Sequence, residues 1–160
     1  MTDLFDADNF DIVPHLLSIG IAYLLALPIG WNREKADRSA GLRTFPLVAA
    51  AACGFVEATE SLASESPEAM ARIVEGVIVG MGFVGGGAIL KHGENVRGTA
   101  TAAALWATGA TGVAVGLGKL DVAVMLAAVT AITLYFISPL KKELIGRDGD
   151  DAGEGRGDIA

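Results

Sequence analysis

Gly80-Met-Gly-Phe-Val-Gly-Gly-Gly87, inside the run VIVGMGFVGGGAILKHG, decides how this chain is read. Gly80, Gly82 and Gly85 spell G-x-G-x-x-G after an apolar run, the outline of a dinucleotide-binding turn. Such a turn needs a strand before it, a helix after it, and an acidic residue about 20 positions on for the ribose. RIVEGVIV passes as a strand, but the following helix is cut short at KHGENVRG, and Asn95 to Leu120 holds no Asp or Glu. A glycine-surfaced helix in lipid explains more of the residues. Gly76, Gly80 and Gly87 follow helical spacing, and Gly82 with Gly86 makes a second small-xxx-small pair, which lets membrane helices approach closely. Gly109, Gly112 and Gly116 repeat the device further along, among Thr99, Thr101, Ala103 and Thr108. This reading predicts that the third helix is central in a bundle. It also predicts that Gly85-Gly86-Gly87 loosens that helix and frees carbonyls.

The composition agrees. The 160 residues suffice for one domain, 52% of them are hydrophobic, and the mean hydropathy is +0.49. Aromatics are only 6% against 21 glycines, so the apolar content is aliphatic and small, as in closely packed membrane helices. The net charge of −7 argues against a nucleic-acid partner. The single Cys53 forms no disulfide within one chain and reads as a small core residue. The first eleven residues are acidic rather than basic, so no removable leader is expected.

Charges cut the chain into five apolar blocks, predicted as helices over about 12–31, 44–62, 71–90, 99–117 and 121–140. A helix needs about 20 apolar residues to cross the hydrocarbon core. The second block is the weakest, being interrupted by Glu57 and Glu60. The blocks are continuous rather than alternating, which favours helices over a barrel. Ten of the twelve Lys and Arg lie in the segment 32–43, the segment 91–98 or the tail after Leu140. Basic loops stay cytoplasmic. The expected fold is therefore an all-α membrane protein, a bundle of five transmembrane helices with the N-terminus outside and the C-terminus cytoplasmic. Residues 1–11 read as an acidic extracytoplasmic arm, 12–144 as the bundle, and 145–160 as a disordered acidic cytoplasmic tail. Trp31 sits at the inner boundary, where an amphipathic ring is favoured. Trp106 reads as a packing residue with its indole N–H bonded to a carbonyl.

Three ordered motifs, AGLRTFPLV (Ala40–Val48), GMGFVGGGAIL (Gly80–Leu90) and NVRGTATAAALWATGATGVAVGLG (Asn95–Gly118), resemble the MgtC/SapB family of small inner-membrane proteins. An Arg33-Glu34 pair precedes the first at the family's spacing. The resemblance implies a five-helix, multi-pass domain of a prokaryotic inner membrane and a role in adaptation to low magnesium. In pathogenic relatives it implies survival inside host cells. Relatives are often described as magnesium transporters, but for the name-giving member a regulatory action on the membrane ATP synthase is the better-supported idea. Three departures stand out. Asn32 occupies the place of an acidic residue, Gly76 the place of a common Gln, and the extra soluble C-terminal domain is not seen. The shorter SapB-like members are the nearer comparison.

Two sets of residues are functional candidates. The cytoplasmic-face set is Arg33, Glu34, Arg43, Thr44, Asn95, Arg97, Thr99 and Thr101. Arg43 and Arg97 stand at helix N-termini, where the macrodipole disfavours cations. That cost points to a partner such as Glu34, a lipid phosphate or an anionic ligand. The plainer alternative is that the arginines set topology, Asn95 makes a turn, and the threonines back-bond to their helix. The outer-leaflet set is His15, Glu57 and Glu75, on three helices at similar depth. Converging, they suit a proton or a divalent cation, with Mg2+ the candidate ligand; otherwise they are wet helix ends.

Two functions compete. One is a regulatory or accessory component of a membrane complex in Mg2+ or cation homeostasis. The other is an oligomeric cation transporter or channel, because five short helices can hardly enclose an alternating-access path alone. The expected partners are the lipid bilayer and either another membrane protein or further copies of this chain. Nothing in the pattern suggests an enzyme.

Overall fold

The computed structural model describes residues 12–59, 66–92 and 95–137, the side chains of His92 and Asn95 excepted. The arm 1–11, the end of the second predicted helix at 60–62, and the tail 145–160 lie outside the described residues. Among the described residues five helices form: α1 Ile12–Lys35, α2 Thr44–Glu57, α3 Pro67–Gly87, α4 Thr99–Gly116 and α5 Leu120–Ile132. A wider π turn, Thr133–Ile137, continues α5. Between α3 and α4 lies a short antiparallel hairpin, β1 Leu90–His92 paired with β2 Asn95–Arg97, in the register Leu90 to Arg97.

Neighbouring helices run antiparallel, and the side-chain contacts show it. His15 of α1 meets Glu57 of α2, while Gly30 of α1 meets Gly41 just before α2. Met81 of α3 lies on Gly109 of α4, and Gly85 lies on Ala102. The Tyr135 hydroxyl, in the π turn after α5, donates to the Pro28 carbonyl of α1 at 3.4 Å. One end of the bundle therefore carries the α1–α2 loop and the hairpin; the other carries the start of α1 and the α4–α5 turn.

The central element is α4, which corrects the expectation for the third helix. Ten of its residues are buried, against only Met81 and Gly85 of α3. The cause is side-chain size. A Cβ on Gly112 would collide with the Ala49 carbonyl oxygen, and one on Gly116 would lie 2.8 Å from Val56 Cβ and 2.9 Å from the Cys53 carbonyl oxygen. Without those Cβ atoms, α4 and α2 meet almost backbone to backbone, where dispersion and weak Cα–H contacts gain. Thr108 and Thr111 donate their hydroxyls to Ala104 and Ala107 one turn back, so these buried polar groups bring no unmet donor. On α3, by contrast, Gly76, Gly80, Gly82, Gly86 and Gly87 face open space among the described residues.

Element ends also differ from expectation. Helix α2 stops at Glu57, and the Thr59 hydroxyl after it donates to the Val56 carbonyl at 2.8 Å. At 1.5 Å per residue α2 is about 21 Å long, below the roughly 30 Å of a hydrocarbon core. Helix α3 starts earlier, at Pro67, and ends at Gly87 rather than at residue 90. After its glycine run, Ala88 and Ile89 bond back to Gly85 and Gly86 in a tighter turn, and the chain leaves for the hairpin. Among the described residues three helical stretches are long and apolar enough to cross a membrane: Ile12–Lys35, Pro67–Gly87 and Leu120–Ile137.

Gly112→Ala is expected to lower the thermal stability of the detergent-solubilised protein by about 1–3 kcal/mol, because the α2–α4 seam must open. Gly20→Ala, where a Cβ meets nothing within 4 Å, is expected to be neutral or slightly stabilising. Thermal unfolding followed by circular dichroism compares the two.

Candidate functional site at the loop-bearing end

The α1–α2 loop is built as a fixed structure. Helix α1 ends in a Schellman motif: Arg38 N–H bonds to the Arg33 carbonyl and Asp37 N–H to the Glu34 carbonyl, with Asp37 left-handed at φ 49. The chain then returns against α1, where Gly30 leaves only 3.2 Å between a notional Cβ and the Gly41 carbonyl oxygen. Glu34 Oε2 accepts the Leu42 N–H at 3.0 Å. Gly41 lies so close to the Glu34 carboxylate that a side chain there would displace it. The Gly41 carbonyl in turn accepts the N–H groups of Thr44 and Phe45, which starts α2. Phe45 and Pro46 plug the core beneath, and Pro46 costs no hydrogen bond because first-turn N–H groups have no helical partner. The motif AGLRTFP is thus a packing unit that holds Arg43 on the surface.

Arg33 lies inside this unit, only 3% exposed. Its Nε and Nη2 both donate to Asn32 Oδ1, at 3.2 and 2.5 Å. A buried cation ordinarily takes a carboxylate partner. Here the acceptor is a neutral amide, and no carboxylate pairs with Arg33 among the described residues. Glu34, offered by the sequence as a partner for Arg43, is used instead on the amide just before it. There its negative charge opposes the positive end of the α2 dipole.

The second loop presents a matching edge. Gly98 precedes α4 with φ 94, and a Cβ there would run into the Ala88 carbonyl. Only glycine satisfies both the angle and the contact. It seats the hairpin on the end of α3 and leaves Lys91 and Arg97 exposed. Thr99 is exposed at the start of α4, Thr44 is half-buried at the start of α2, and Thr101 is buried. Asn95 pairs through its backbone with His92. Lys35 stacks its ammonium over Trp31, 5.0 Å from the ring centre. Lys35, Arg38, Arg43, Lys91 and Arg97 thus form a net-cationic rim, with the acids Glu34 and Asp37 also exposed among them.

The order of these motifs can be set against known proteins. The MgtC family profile matches residues 19–143. The chain belongs to the MgtC family. Protein MgtC of Salmonella typhimurium (strain LT2) is 42% identical over 106 residues, covering 66% of this chain and 45% of the relative. Protein MgtC of Brucella abortus (strain 2308) is 38% identical over 124 residues, covering 78% of this chain and 50% of the relative. The chain thus spans about half the length of these MgtC relatives. No solved structure matches it. MgtC-family membership and three helices of spanning length together support a membrane location.

At the opposite end of this MgtC-family bundle the structure joins two of the three outer candidates. His15 Nδ1 lies 3.0 Å from Glu57 Oε2, with His15 49% and Glu57 11% exposed. Glu75 is exposed on α3 and takes no part in that pair. Among the described residues no three His, Cys, Asp or Glu side chains gather into a metal-ligand group. Trp106 is half-exposed and borders a cavity of about 210 Å³ between α3, α4 and α5, rather than filling the core. Sequence reasoning missed the Glu34–Leu42 bond and the hairpin. The pairing of Gly30 with Gly41 was visible only as two glycines flanking a charged loop.

Two substitutions test this architecture. Asn32→Asp supplies the missing charge and is expected to add about 1 kcal/mol of stability. Gly98→Ala is expected to destabilise by at least about 1 kcal/mol, through its angle and its collision with Ala88. Thermal unfolding and hydrogen exchange at residues 95–101 read both.

Proposed function

We propose that this chain is a multi-pass protein of a prokaryotic inner membrane, acting in Mg2+ homeostasis as a regulatory or accessory component of a membrane complex. All five helices cross, and the loop-bearing end faces the cytoplasm, following the basic loops. The short α2 crosses as an inner helix, flanked by α1 and α4, where mismatch is accommodated by its neighbours and by local thinning. The observation that carries the reading is the cationic rim held on fixed backbone. An excess of basic side chains disfavours a divalent cation and attracts anionic groups, so this end suits docking to an acidic surface better than conducting Mg2+. The interior supports the same view, because α4 fills the bundle centre with Ala, Thr and Gly packed against α2.

The transport reading draws on the His15–Glu57 pair and on Glu75, ionisable groups within apolar helices. Both readings meet one experiment. In a strain lacking the native protein and grown at limiting magnesium, Arg43→Ala and Arg97→Ala are expected to abolish rescue while membrane levels stay normal. The parent protein in liposomes is expected to show no Mg2+ flux above that of empty vesicles. Flux lost on Glu57→Gln and Glu75→Gln would establish transport instead.

A further inference from the structure

We infer that the outer face of α3 is a two-fold dimer seam between copies of this chain. Arg72, Gly76, Val79, Phe83 and Gly87 recur at spacings of three and four and share one face of α3. Met81 and Gly85, the two buried residues of α3, lie on the opposite face against α4. The outer face has no cover within the described chain. Phe83 is 87% exposed, Val79 is 68% exposed, and a Cβ on Gly76 or Gly87 would meet nothing.

Small residues on a bare helix do not name an occupant; the charges beside them do. Glu75 lies eight residues into α3, about 12 Å along its axis, in a helix of spanning length. On the membrane reading a carboxylate within this span is unfavourable against lipid and calls for a protein partner. Arg72 lies one turn away, and the two form no ion pair with each other. A two-fold axis along the membrane normal sets two α3 helices side by side and parallel. It places Arg72 of each copy against Glu75 of the other, twice over. A different helix would have to bring its own cation to this depth; a second copy already holds it. The same axis brings the glycines into the seam, which permits close approach. Beside the seam, an apolar cleft of about 640 Å³ between α2 and α3, lined by Val48, Phe55, Gly76 and Gly80, leaves room for Phe83 of the second copy.

The inference rests on the membrane reading, which is checked separately by retention of the chain in carbonate-washed membranes. In a Cys53→Ala background, Val79→Cys is expected to give an oxidised homodimer in native membranes. Val124→Cys, exposed on α5, is expected to give at least tenfold less. Arg72→Glu and Glu75→Arg are each expected to weaken dimerisation in bilayers tenfold or more, measured by energy transfer between labelled copies. The double variant, with the charges exchanged, is expected to recover to within threefold of the parent. Membrane retention with no preference for position 79 overturns the seam. So does a double variant as weak as the singles, or cross-linking at position 79 to a different protein only.

Discussion

The bundle depends on the near-contact of two backbones. Helix α4 can lie in the middle because Gly112 and Gly116 carry nothing where Ala49, Cys53 and Val56 of α2 come close. In water, burying large side chains would give such a core its stability. In lipid that gain largely vanishes, since the tails are as apolar as leucine, and close packing takes its place. The helix richest in small residues and threonines is therefore the innermost, while the long aliphatic side chains of α1, α3 and α5 point outward. Outward leucines and valines are what an apolar solvent favours.

The same logic explains how the loop-bearing end is held. Each return of the chain passes a glycine that lets backbone lie against backbone, Gly41 beside α1 and Gly98 beside Ala88. Polar closure then falls to few groups: the Glu34 carboxylate on one amide, the Asn32 amide on one guanidinium. With those bonds made inside the loop, the remaining cations stand outward and form no ion pair among the described residues. Surface charge here is a consequence of how the backbone is fastened.

Much of this was legible in the residues, and the failures have physical reasons. The five helices follow from apolar blocks bounded by charges, which are local properties of the chain. The centre of the bundle did not follow, because α3 and α4 both carry glycine stripes and periodicity does not say which stripe finds a partner. What separates them is the match of Gly112 and Gly116 to Ala49, Ala52 and Val56, a long-range fit between two helices. His15, Glu57 and Glu75 were placed at similar depth from residue counts, but depth fixes only one coordinate. Rotation about each axis turned Glu57 toward His15 and left Glu75 on another face. The hairpin was hidden because its two strands are only three residues each, below the length at which alternation is readable.

The amide on Arg33 has a consequence for the range of surroundings the fold tolerates. A carboxylate in that place would surrender its charge in acid, and the buried guanidinium would then be left among groups that no longer compensate it. Asn32 has no proton to gain, so the contact that holds Arg33 is indifferent to acidification.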